Sequence, residues 1–318
     1  MSVDLDIIKP SALGGAGWAP RVGSLRDDKH TIWAGFGAFS ECGTLRAVLL
    51  HRPGPEVDAV LDPRSALFLE RVDGARAREQ HDQLADLYRA HSVTVHYVET
   101  ERATPNLYFM QDTFAMTPDG AMLSRPASRV RAGEERIAAR ALAHIGVPIV
   151  LSVHGTGTFE GADLKILNED IALIGLGLRT NRVGAQQVAH VLQSIGFREV
   201  INVELNENCL HLDCALSIVG RNVALIDPER IAPMTYEILR RHGFRIVEMP
   251  NRHEADTGMA INMVALAPGL VVMPAGNFRT KHALEAAGIE CVELEISELM
   301  KGGGAIHCMT GVVQRDAA

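Results

Sequence analysis

Residues 162–203 read ADLKILNEDIALIGLGLRTNRVGAQQVAHVLQSIGFREVINV, and within that run the hydrophobic pattern changes period twice. ADLKILN and IALIGL are short apolar runs of strand length on either side of the turn residues NED. The next stretch carries apolar residues at i, i+3 and i+4, as one face of a helix requires, and a strand-like run, REVINV, closes it. Gly196 stands where the helix must stop, a place that favours a left-handed C-cap. The order strand, tight turn, strand, helix, glycine, strand recurs at residues 212–249, LDCALSIVGRNVALIDPERIAPMTYEILRRHGFRIVEM, and at residues 261–296, INMVALAPGLVVMPAGNFRTKHALEAAGIECVELEI. There the turns are GRN and APG, and the stops are Gly243 and Gly288. Residues 111–153, QDTFAMTPDGAMLSRPASRVRAGEERIAARALAHIGVPIVLSV, repeat the order with PDG as the turn and Gly146 as the stop. GTLRAVLLHRPG (43–54) followed by REQHDQLADLYRAHSVTVHYVE (78–99) reads as a degenerate fifth copy.

Such a unit cannot bury its sheet face alone, so five of them are expected to stand around an axis with equivalent strand ends at the centre. Asp112, Asp163, Asp213 and Asn262 occupy the same place, at the head of the first strand of each unit, with spacings of 51, 50 and 49 residues. Asp and Asn also cap turns before strands, so each position taken alone has a purely structural explanation. Their company argues for more. PNLYFMQD (105–112), FEGAD (159–163), HLD (211–213) and GGGAIHC (302–308) would bring a thiol, an imidazole and several carboxylates into one central cavity.

A cysteine nucleophile needs thiolate character, which a nearby cation supplies by lowering a free-thiol pKa of about 8.5. Surplus carboxylates do not suit a neutral substrate. They suit a planar cation that presents N–H groups to bidentate acceptors, so the cavity reads as a guanidinium site. His211, Asp213 and Cys308 are also metal-ligand types, but no close pair of the H-E-x-x-H or C-x-x-C kind accompanies them, and no metal or other cofactor is expected. The GGG run lacks the G-K-[ST] ending of a phosphate loop. His307 neighbours the thiol; on an extended segment the two side chains would point oppositely, which gives His307 a structural role.

The net charge of −8 disfavours nucleic acid and anionic membranes as partners and suits a small cation. With 47% hydrophobic and 22% charged residues, the 318-residue chain has the composition of a packed globular protein rather than a disordered one. No apolar stretch approaches the ~18 residues of a membrane span. Cys42, Cys209, Cys214, Cys291 and Cys308 are odd in number and contain no C-x-x-C pair, and no secretory leader precedes them, as in a cytoplasmic protein. Oligomeric state is left open.

PNLYFMQDTFAM, FEGADL, LGLRTN, HLDCALSIV and GGGAIHCMTGVVQRD, taken in order from about Glu41 to Asp316, resemble the serial motifs of the arginine deiminase, dimethylarginine dimethylaminohydrolase and amidinotransferase superfamily. The resemblance implies the pentein fold of these guanidino-modifying enzymes, a five-bladed α/β propeller of ββαβ units around a central active-site cavity. It implies one catalytic domain over residues 40–318 behind an N-terminal extension, residues 1–39, that contains Trp18 and Trp33 and has no counterpart. Cys308 is then the nucleophile, His211 the general acid and base, and Glu160 the residue that orients it. Asp112 and Asp213 grip the guanidinium, Arg179 holds the substrate carboxylate with Arg131 as a second candidate, and Asp163 and Asn106 complete the substrate-binding set. The implied reaction is hydrolysis at the guanidino carbon through a covalent thiouronium. Amidino transfer to an amine is the alternative, and a binding module of the same fold without chemistry, like the ribosome anti-association factor, is the third.

Gln111 departs from the pattern, since deiminases carry Arg and dimethylarginine hydrolases Glu before the equivalent of Asp112. Ala162 replaces a glycine of the usual EGGD. The segment 56–105 is too short for the helical insertion of arginine deiminases.

Overall fold

A computed structural model describes residues 10–318, so the first nine residues of the expected extension lie outside the described part. The described chain folds into five small sheets. Four follow the repeat. Phe114–Thr117 pairs antiparallel with Gly120–Leu123, which pairs parallel with Ile149–Ser152 after the helix Glu134–His144. The same ladder joins Leu164–Asn168, Ile171–Leu176 and Glu199–Glu204 through the helix Arg182–Ser194. It recurs in Leu216–Gly220, Val223–Ile226 and Arg245–Glu248 through Met234–Arg241, and in Val264–Ala267, Leu270–Pro274 and Glu290–Leu294 through Phe278–Ala286.

The fifth sheet departs from the chain-order expectation. Leu45–Leu50, the helix Gly74–Ala90 and the parallel strand Thr94–Tyr97 form an incomplete unit, and its first strand comes from the other end of the chain. Gly311–Arg315 lies antiparallel to Leu45–Leu50, from Gly311 opposite Leu49 to Arg315 opposite Leu45, with the register shifting around Gln314. Gly37–Ala38 adds a parallel pair to its far edge, so sheet pairing begins two residues ahead of residue 39. Ahead of that pair, the described N-terminal segment reaches the body at Arg26 and Ala34. Arg26 pairs with Asp119 and donates to the carbonyl of Ile195, and the amide of Ala34 donates to the carbonyl of Gly146.

In the four regular units almost every residue of the first two strands is buried, whereas the parallel third strand is half-exposed and covered on one side by its helix. This is why the first two runs are nearly continuous in Val, Ile, Leu and Ala, and why the third is mixed. The helices start and stop as their ends dictate. The Asn181 side chain accepts from the amide of Gly184 at 2.9 Å, and Gly196 and Gly243 close their helices at φ of 114° and 79°, where a Cβ would be strained.

Three of the four strand heads are single 3-10 turns, Met110–Thr113, Gly161–Asp163 and Leu212–Cys214, each ending a stretch of chain that leads into a buried strand. The terminal glycines have a packing reason rather than a conformational one at two of three positions. A Cβ on Gly302 would fall 1.7 Å from the Tyr108 hydroxyl, and one on Gly304 would fall 2.6 Å from the Phe109 ring; only Gly303 has a left-handed backbone, at φ 94°. The motif 105–112 therefore presses its aromatic rings onto the backbone that leads to Cys308. Gly302→Ala is expected to destabilise the fold by about 1–3 kcal/mol, read as a lower denaturant midpoint at unchanged slope. Among the described residues no helix is long and apolar enough to cross a membrane.

Candidate active site

Cys308 sits in one helical turn, Ile306–Met309, that the aromatic contacts of Gly302 and Gly304 hold against the strand heads. Asn262, the fourth head, clasps this turn twice: its Oδ1 accepts from the Cys308 amide at 3.2 Å and its Nδ2 donates to Sγ at 3.1 Å. The same Nδ2 reaches Oδ2 of Asp213 at 3.1 Å, which lies 3.5 Å from Sγ. The thiol lines a cavity of about 310 Å³ with Leu69, Leu210, Arg230, Asn262 and Gly304, a volume suited to an amino-acid-sized ligand. Burial, then the Asp213 and Asp112 carboxylates, push the Cys308 thiol well above its ordinary value, so it rests protonated.

His211 is buried next to these groups. Its Nε2 meets Oε2 of Glu160 at 2.6 Å, and its Nδ1 stands 3.9 Å from Oδ1 of Asp112. That Nδ1 and that Oδ1 have no hydrogen-bond partner within the protein. Burial opposes charge on the ring, but Asp112, the Glu160 hydrogen bond and Asp163 outweigh it and hold the imidazole pKa up at about 10. Glu160 is shifted the other way. Against its burial, the bond and charge of His211, with Arg179 and Arg131, hold it down at about 2. Its Oε1 also accepts from the amide of Ala127 at 3.1 Å, so the carboxylate that orients the imidazole is itself fixed.

The remaining expected residues are drawn into this cluster in different ways. Arg179 rests on Glu160, with Nη1 at 3.0 and 3.3 Å from its two oxygens, rather than lying free at the Cys308 cavity. Arg131 is buried and its fork is nearly used up. It bonds Asp112, Oε2 of Glu134 at 2.8 Å, and the carbonyls of Asn106 and Phe109 at 3.4 and 3.1 Å. Asn106 ties the segment Pro63–Ala66 to the site through the Ala66 carbonyl at 2.6 Å. Asp163 accepts from Thr180 Oγ1 at 2.6 Å and the Leu212 amide at 2.9 Å, and burial pushes its pKa up to about 7. Thus Asp163 fixes the backbone beside His211 and the side chain of the residue after Arg179.

Gln111 turns away from the thiol. Its Nε2 donates to the Gly161 carbonyl at 3.3 Å, and it lines a different cavity with Glu41 and His307. Cys214 stands at the edge of the site, 3.4 Å from Asp213 Oδ1, where burial and that carboxylate raise its thiol well above the ordinary value. Among the described residues, Asp112, Glu160 and His211 are spaced closely enough for a metal ion, which is not the trio His211, Asp213 and Cys308. Arg131 and Arg179 already balance those two carboxylates.

Two features escape the sequence reading. His307 does not point away on an extended segment: the turn is helical, and its Nδ1 bonds Oδ2 of Asp213 at 2.9 Å. Lys165, in the strand Leu164–Asn168, lies buried behind it. The signal was present, since a lysine in the middle of the buried run ADLKILN needs a partner.

The model of the eukaryotic N,N dimethylarginine dimethylhydrolases matches residues 69–315. The chain belongs to that family. It is 26% identical to the N(G),N(G)-dimethylarginine dimethylaminohydrolase of Pseudomonas aeruginosa, over 79% of this chain and 94% of that one. It is 27% identical to the arginine deiminase of Streptococcus agalactiae, over 87% of this chain and 97% of the other. A crystal structure of a dimethylarginine dimethylaminohydrolase adduct with 4-chloro-2-hydroxymethylpyridine superposes with a TM-score of 0.69 at 26% identity, covering 84% of this chain and 99% of that chain. The mixed α/β architecture of the dimethylarginine hydrolase family is therefore the fold of this chain, and its relatives are guanidino-modifying enzymes.

Proposed function

We propose that this protein hydrolyses the guanidino carbon of arginine or an N-substituted arginine, giving a ureido product and ammonia or an amine. The observation that carries the reading is the company of Cys308: a buried thiol held by Asn262, with the Asp213 carboxylate beside it and the Asp112–His211–Glu160 cluster adjoining. In this reading the five sheets are blades around a common axis, and residues 40–318 act as one catalytic domain.

Asp112 and Asp213 grip the guanidinium through its N–H groups, using the unpartnered Oδ1 of Asp112. The bound cation offsets the two carboxylates that keep the thiol protonated, so the thiol gives its proton to solvent and the thiolate forms when substrate is present. Sγ then bonds to the guanidino carbon. The departing nitrogen takes the proton of the His211 imidazolium and leaves, and a covalent thiouronium remains. His211, now neutral, removes a proton from water as the water oxygen bonds to the carbon. The C–S bond breaks as the remaining hydroxyl proton of the adduct passes to solvent, the thiolate returns and the ureido product is released. Glu160 keeps the imidazole oriented and charged for the first half of the cycle.

Arg179 is the residue we assign to the substrate carboxylate, because only one nitrogen of its fork is spent on Glu160. Arg131 anchors Asp112, while Asn106 and Asp163 hold the segments that carry the site. The test is mass spectrometry of products from arginine, dimethylarginine and agmatine, each with and without glycine or lysine. Citrulline from an arginine-type substrate alone is expected. Ornithine formed only with an acceptor would replace the hydrolase by an amidinotransferase.

A further inference from the structure

Behind the nucleophile lies a line of buried polar groups that the hydrolytic cycle leaves unused. Lys165 is 1% exposed, and its Nζ meets Oε2 of Glu41 at 3.1 Å and Nε2 of His307 at 2.8 Å. An ammonium has three donors and no acceptor, so Nε2 must offer it a lone pair. The neutral ring then carries its proton on Nδ1, and that N–H points at Oδ2 of Asp213, 2.9 Å away. This is the oxygen that faces Nδ2 of Asn262 and Sγ of Cys308. The line ends at a cavity of about 30 Å³ lined by Glu41, Gln111, His307 and Arg315, which shares no lining residue with the Cys308 cavity.

We propose that Lys165 and His307 are positioning residues, which fix one tautomer of His307 so that a single N–H holds Asp213 aimed at the cationic centre of the substrate. The inference rests on the guanidinium reading of the site. Asp213 is faced by His307, Lys165, His211, Asn262, Cys214 and Cys308; against its burial, His307 above all, then His211 and Lys165, keep its carboxyl below the usual range. Glu41, set among Lys165, His307 and Arg315, is held at about 2 against its burial and anchors the far end. Freeing His307 to present its other tautomer removes the donor and lets the Asp213 carboxyl rise. Capture of a cation at Cys308 should then fail at a higher pH than in the parent protein.

The experiment compares two alkylating probes of Cys308 in the full chain, the cation 2-chloroacetamidine and neutral iodoacetamide, with the adduct located by mass between pH 5 and 8. The parent protein is expected to prefer the cation. Lys165→Met and His307→Leu should lower that preference by about tenfold or more and move its acid limb to higher pH. His307→Asn, whose amide N–H replaces Nδ1–H, should retain most of it. A folded Lys165→Met protein with unchanged preference and unchanged acid limb would overturn the proposal. If Lys165→Met does not fold, the double variant Lys165→Met, Glu41→Gln removes both members of the ion pair and carries the same two outcomes. Nitrogen NMR of His307 separates this inference from the reading beneath it. Equal rates for the two probes in the parent protein would sink the guanidinium site, whereas an Nε2–H tautomer there would sink the relay alone.

Discussion

Cys308→Ala is expected to leave a folded protein whose turnover of arginine-type substrates falls by roughly ten-thousandfold, and which no longer forms a covalent mass adduct with a guanidine or amidine probe. The size of the effect follows from the sulfur's place in the proposed reaction: without it no thiouronium would form, and what remains would be binding and the acid–base pair. Stability should change little, because the side chain is small and Nδ2 of Asn262 keeps Oδ2 of Asp213 as an acceptor at 3.1 Å when Sγ is removed. Substrate binding measured calorimetrically should survive, and it should tighten if anything, since the thiol's desolvation beside two carboxylates no longer has to be met. Turnover within tenfold of the parent protein, with the fold intact, would end the assignment of Cys308 as nucleophile.

His211→Asn should be nearly as severe for the chemistry, with kcat lowered about 10²–10⁴-fold, and it should also alter stability in a pH-dependent way. The imidazole is held at about 10 in the fold, above its ordinary value of about 6.5. A raised basic group contributes stability that is fully present below its unfolded pKa and is lost as pH rises through the folded value. The parent protein should therefore lose stability between about pH 6.5 and 10 relative to the variant, and its acid-catalysed first step should persist to about pH 10. Below that window the variant should be weaker by about 3–5 kcal/mol, since Glu160, Asp112 and Asp163 lose the cation they share. Denaturation midpoints of both proteins at pH 6 and pH 9.5 provide the check. Parallel curves across that window would show that the ring is neutral in the fold.

What could be read from the residues followed the range of the signals. The four strand heads and the helix stops were legible because hairpin turns, helix periods and glycine caps act over a few residues, and the 50-residue repeat multiplies each signal. The strand Gly311–Arg315 was not legible as the partner of Leu45–Leu50, because nothing in either run encodes a pairing across most of the chain. The spacing of Asp112, Asp163, Asp213 and Asn262, with the motifs around them, pointed to a shared cavity for the thiol, the imidazole and the carboxylates, but it could not show how charges share partners there. Arg131 and Arg179 lie against Asp112 and Glu160 because a buried carboxylate without a cation is costly, a constraint that exists only once the segments have met. His307 was misjudged through one local assumption, that the residues around Cys308 run extended. In one helical turn, adjacent side chains separate by only about 100°, and both can address the same carboxylate.

The pairing of the last strand with Leu45–Leu50 also sets a timetable for assembly. Until residues 311–315 have been synthesised, a strand whose residues are buried at all but one position has a bare edge, the kind of surface on which nascent chains pair with one another. Cys308 lies just ahead of that strand, so the proposed nucleophile is seated by the same long-range step that covers the edge. Conditions that slow this step should therefore yield aggregate and inactive protein together, rather than a soluble chain that has merely lost its chemistry.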